Sequence, residues 1–117
     1  MGAEANLGRT LLANGNYEEA ISHLDNALAS GPDSAELQDT LGVALAAQGQ
    51  LNDAVGHFER ALQLDSEFGE AQLDLADVLI RQGQAHAAVA LLEKAERSHA
   101  PDIVERARAM LQKPTLQ

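Results

Sequence analysis

The sequence predicts an all-α fold: an α-solenoid of three 34-residue helix-turn-helix repeats closed by a capping helix. Gly15, Gly49 and Gly83 recur at that interval, each followed by a polar residue and then, in step, by Ala20, Ala54 and Ala88. In the same register Leu7, Leu41 and Leu75 coincide, as do Leu11, Leu45 and Leu79, and Ala27, Ala61 and Ala95. A fixed period of this size means stacked copies of one supersecondary unit, because a single copy cannot bury its apolar face. Within a unit the apolar residues follow i, i+4 spacing, the period of a helix and not of a strand.

The first unit covers residues 1–34. A helix from about Gly2 to Asn14 places Leu7, Leu11 and Leu12 on one face, with Gly8 among them. Asn14-Gly15-Asn16 ends it, since Gly15 can adopt the left-handed conformation that closes a helix and Asn16 can cap the next one. Glu19 completes a capping box with Asn16. The second helix, from about Tyr17 to Ser30, turns Ala20, Leu24, Ala27 and Leu28 inward until Gly31-Pro32 stops it. Asp33 and Glu36 then form the capping box of the second unit, residues 35–68, which turns at Gln48-Gly49-Gln50. The third unit, residues 69–102, turns at Gln82-Gly83-Gln84 and departs from the pattern at Pro101 and Glu96, as a terminal unit does. Asp102 and Glu105 cap a last helix over residues 103–112. Its apolar stripe is Ile103, Val104, Ala107 and Leu111, opposite Glu105, Arg106 and Arg108, the two faces a solvent-exposed cap requires. One domain over residues 1–112 and a frayed tail at 113–117 follow. Small residues at Gly8, Ala20 and Ala27, and at their repeats, let paired helix axes approach to about 8–10 Å.

The formal net charge is -10, from 18 acidic and 8 basic residues. Nucleic-acid binding needs Lys and Arg to displace counterions from phosphates, and this chain would repel a polyanion. Residues 1–34 carry -4, 35–68 carry -5, 69–102 carry -3 and 103–117 carry +2. An acidic body with a basic end favours basic or amphipathic partners and could support head-to-tail contacts. Cys is absent, which removes disulfide and thiolate chemistry. No apolar run approaches the length of a membrane span and no secretion signal opens the chain, so membrane insertion is not expected and a cytoplasmic location is. Met1-Gly2 falls on the first position of a unit, so a longer parent protein is expected.

Candidate chemistry is sparse. His23 and His57 lie one repeat apart, hence about 10 Å apart on neighbouring helices. Zinc ligands sit about 2 Å from a shared centre, so these two cannot share a metal. Ser22-His23 and Ser98-His99 are adjacent on helices, and adjacent side chains diverge by about 100°. Neither is a nucleophile and base in contact. No phosphate loop, nucleophile elbow or metal motif accompanies the carboxylates. No cofactor, metal site or enzymatic activity is expected.

The chain resembles the tetratricopeptide repeat family over about residues 1–102. The resemblance rests on the period, on the Leu7-Gly8 and Leu41-Gly42 pairs with Leu75-Ala76 as a near match, and on Pro32. It rests also on the runs Ala20/Leu24/Ala27, Ala54/Phe58/Ala61 and Ala88/Leu92/Ala95. Glu4, Gln38 and Gln72 stand where the family often has Trp, which weakens packing at the start of each unit. The resemblance implies a right-handed superhelical array and a protein-interaction scaffold that takes a peptide or helix of a partner in its concave groove.

Carried onto this sequence, the groove would be lined by Ala5, Asn6, Arg9, Leu12 and Ala13, then Glu36, Asp39, Thr40, Val43 and Ala47. The third unit would add Glu70, Leu73, Asp74, Asp77, Ile80 and Arg81. Leu12, Val43, Leu73 and Ile80 would form an apolar stripe, either anchoring a partner helix or, for Leu12 and Ile80 especially, packing between units. In the family's chaperone-binding members the clamp for an acidic carboxyl terminus uses Lys, Asn and Arg. The corresponding places hold Ala5, Arg9, Thr40, Glu70 and Asp74, of which only Arg9 is suitable, so the acidic tail of heat-shock chaperones is not an expected partner. The alternative function is self-assembly, with the first-unit edge docking on the basic last helix of another copy.

Overall fold

A computed structural model describes residues 2–116. Its helices are α1 (Gly2–Ala13), α2 (Tyr17–Ser30), α3 (Ala35–Ala47), α4 (Leu51–Leu64), α5 (Gly69–Arg81), α6 (Ala85–Glu96) and α7 (Pro101–Leu111), with a 3-10 turn at Pro114–Leu116. No strand occurs among the described residues. Each helix packs on the next in sequence, and α3 also touches α1 and α5, as α5 touches α7. The odd-numbered helices thus crowd together as an inner layer while the even-numbered ones splay outside. The result is an elongated body of 41 × 28 × 22 Å with its concave side on α1, α3, α5 and α7.

The turns inside each pair are set by how the first helix ends. The Asn16 N–H donates to the Leu11 carbonyl (2.8 Å) and the Gly15 N–H to that of Leu12 (3.0 Å), with Gly15 at φ 82°. This is the paired closure of a Schellman motif, and it recurs at Gly49 and Gly83. It also overturns an expected cap. Asn16 is held as the last residue of that closure, and its side chain makes no capping bond to α2.

The other two capping boxes are corrected as well. Ser34, not Asp33, caps α3, its hydroxyl oxygen accepting the Leu37 N–H at 3.1 Å. Asp33 instead accepts from the Gln38 amide (3.0 Å) and the Arg60 guanidinium (3.0 Å), which hold its carboxyl below the usual range. The last helix begins at Pro101, where a missing N–H costs nothing, so Asp102 falls inside its first turn. The tail is not frayed as far as it is described: Pro114–Leu116 turns back and packs Leu116 against the core.

Ala20, Ala54 and Ala88 are fully buried where the helices of each pair cross. A Cβ added to Gly42 would lie 2.5 Å from the Phe58 ring, and one added to Gly8 would lie 2.7 Å from Leu24. The small residues therefore admit the bulky knob of the partner helix. Burial differs sharply along the array. Leu41 and Leu75 are 1% and 5% exposed, whereas Leu7, expected to share their role, is 43% exposed. Among the described residues α1 packs against α2 and α3.

Candidate functional site

The concave side joins three kinds of surface. At the first junction Ala5 and Arg9 of α1 and Glu36 of α3 border a hollow of about 460 Å³. Arg9 Nη2 lies 3.0 Å from Glu36 Oε1, with Arg9 half-buried and Glu36 exposed, so water screens the pair and it contributes at most about 1 kcal/mol. Thr40 on the next turn donates its hydroxyl to the Glu36 carbonyl at 2.8 Å and is half-buried. Leu12, Val43 and Ile80 are half-buried and lean on the core.

A second hollow of about 220 Å³ lies between α3 and α5, bordered by Val43, Ala46, Ala47, Asp74, Asp77, Val78 and Arg81. The Arg81 guanidinium lies 3.9 Å from Asp77 and donates to the Ala46 carbonyl at 3.4 Å. At the far junction Glu70 accepts from Arg106 of α7 at 2.7 Å.

Two expected groove residues lie elsewhere than a surface reading requires. Leu73 is 2% exposed and belongs to the core, because α5 is packed by α3, α4, α6 and α7 together. The anticipated apolar stripe is broken there. Asp39 is 8% exposed, and its Oδ1 is buried without a hydrogen-bond partner. Burial, then a hydrogen bond with Asp74, then the negative charges of Asp74, Glu70 and Glu36 raise its carboxyl to about 9. Burial also raises Asp74, against which the hydrogen bond from Asp39 acts. Burial and its acidic neighbours thus hold the Asp39 carboxyl in its protonated form through neutral pH.

Glu4, Gln38 and Gln72, near the start of each unit, carry polar links. His23 Nδ1 sits 2.7 Å from Glu4 Oε1, and His57 Nδ1 sits 2.7 Å from Gln38 Oε1. Each ties the second helix of a pair to its first. The bond to His23 is the main cause that lowers the Glu4 carboxyl. The signal was present as a polar residue and a histidine in the same register in two units. The third unit lacks it, and Gln72 donates to the Ser66 carbonyl at 2.9 Å instead. Among the described residues no group of three or more His, Cys, Asp or Glu is placed to hold a metal, and no helix is long and apolar enough to cross a membrane.

A tetratricopeptide repeat profile matches residues 6–67, and a second matches residues 45–114. The chain belongs to the tetratricopeptide repeat family. Solved members superpose on the array. MamA does so at a TM-score of 0.82 with 22% identity, over 97% of this chain and 67% of that one. The second repeat domain of human RPAP3, determined in complex with the HSP70 peptide SGPTIEEVD, gives 0.79 with 18% identity, over 95% and 94%. YrrB, described as a TPR protein with an unusual peptide-binding site, gives 0.73 with 22% identity, over 89% of this chain and 55% of its own. At these identities the likeness is one of fold. No curated protein matches the sequence.

Proposed function

We propose that the repeat array is a protein-interaction scaffold whose concave side takes a basic or amphipathic segment of a partner. The observation that carries this reading is the line of solvent-accessible carboxylates on the inner helices: Glu36 of α3, then Glu70, Asp74 and Asp77 of α5. Half-buried Val43 and Ile80 stand beside them for apolar contact. Two of the solved relatives are described as peptide binders, which supports the same use of the fold. An acidic peptide such as the chaperone tail is disfavoured, because Glu70 and Asp74 stand where cations would be needed. The test is a titration of a labelled amphipathic peptide of Lys, Leu and Ala, with chemical-shift mapping. Shifts on α3 and α5 support the groove. Shifts confined to Asp25, Glu59 and Glu93 on the outer helices remove it.

Self-assembly is the second reading, favoured by the exposed Leu7 on α1 and the arginines of α7. Light scattering across salt concentration separates the two, since charge-driven docking between copies weakens as salt rises.

A further inference from the structure

The hollow at the first junction, about 460 Å³, falls within the roughly 300–1,000 Å³ over which protein pockets take their ligands. Buried Ala27 and Leu37 lie at its base, and Ala5 and Pro32 line its sides. Arg9 and Glu36, 3.0 Å apart, stand at its rim. Its lower walls are thus carbon and its mouth is charged.

The repeat register gives the physical reason the space is open. Ala5 and Ser34, which border it, correspond one unit on to Asp39 and Phe68. The first junction therefore carries small side chains where the second carries larger ones. Burial of the floor follows the same contrast. Ala27 is 8% exposed, whereas its counterparts Ala61 and Ala95 are 0% exposed. Water standing on such a floor has few polar partners, and an apolar group that displaces it gains free energy. Phe68, half-buried at the second junction, indicates the size and kind of group that the first one lacks.

Charge decides what kind of molecule delivers that group. The two units that enclose the hollow carry -4 and -5. Beyond it the accessible carboxylates Glu70, Asp74 and Asp77 continue along α5, the next inner helix. A segment with cations beside its apolar residue is attracted to this surface, and one with carboxylates is repelled. We propose that the hollow between α1 and α3 is the seat for one phenylalanine-sized apolar side chain of the basic partner segment. The segment is anchored at the first junction and lays its cations over the carboxylates of α5.

This proposal rests on the concave groove being the binding face, and the experiment separates the two. The probe is a peptide of Lys and Ala carrying a single Phe, titrated beside the same peptide with Ala in its place. The Phe is expected to strengthen binding at least about tenfold, as burial of one large apolar side chain does. That gain should persist at high salt, while the contribution of the lysines fades. Ala5→Leu closes the hollow from within and leaves the Ser34 cap of α3 intact. It should bind the two peptides alike, without a lower melting temperature, because the added side chain takes space already open. Ring-current shifts on the Ala27 and Leu37 methyl signals of the unaltered protein, seen with the Phe peptide alone, give a readout independent of any variant. If the Phe brings no gain, or if its gain survives Ala5→Leu with both methyls unmoved, the seat is overturned. The groove then stands as long as the peptides perturb α3 and α5. If neither peptide perturbs those helices, both fall.

Discussion

The first helix pair and the second have nearly the same internal geometry and very different surroundings. Ala20 and Ala54 are both fully buried at the crossing of their pair, and Leu24 and Phe58 fill equivalent spaces beside Gly8 and Gly42. Yet Leu7 is 43% exposed where Leu41 is 1% exposed. Burial within a pair is thus a property of the unit, and burial between pairs a property of the stack. Among the described residues the first pair packs on a neighbouring pair on one side, so it makes the first kind of contact and half of the second.

The largest expected effect breaks this contrast at its sharpest point. Leu41→Ala should cost about 2–5 kcal/mol and Leu7→Ala no more than about 0.5 kcal/mol, measured by chemical denaturation. Equal losses would show that α1 is covered in solution. Ala54→Leu overpacks a helix crossing and should cost about 1–3 kcal/mol, with Ala20→Leu costing much the same, because both crossings are closed. Gln63→Leu, on the exposed side of α4, is the control and should leave the melting temperature nearly unchanged.

The junctions between pairs differ too. Arg9 and Glu36 attract across the first, while Asp39 and Asp74 meet across the second, where Asp39 takes the place that Ala5 has in the first unit. An unfolded aspartate ionises near pH 4, but folded Asp39 keeps its proton to about 9. Over that interval the native state binds more protons, so this group's contribution falls as pH rises and levels off above it. Asp39→Asn cannot titrate. Its stability should match that of the unaltered protein most closely in acid and gain on it as pH rises from about 4 to about 9. Melting curves along a pH series check the sign. The smallest effect is expected from Arg106→Gln, which removes an exposed pair with Glu70 and should cost about 0.2–1 kcal/mol, fading with salt.

Much of the fold was legible because its cues are local. Gly15, Gly49 and Gly83 take positive φ within their own turns, and Ala20, Ala54 and Ala88 meet a helix fewer than twenty residues away. The caps were less legible. Asn16 and Ser34 are equally good capping residues by type, and the choice depends on which backbone groups the preceding helix end has already taken. The site was legible as a set of positions on the first helices, but not in its exposure. Leu73 and Val43 read alike in sequence, and one is sealed by four helices while the other remains at the edge of a hollow.

Residues and spacing alone thus settled the helix pairs, their turns and the acidic character of the inner side, all consequences of contacts made close along the chain. Stacking decided the rest. It left Leu7 in water, buried Leu73, and brought the carboxyls of Asp39 and Asp74 together from different units. Such meetings depend on how tightly one pair curves onto the next, which follows from the summed packing of many side chains and has no mark at any single position.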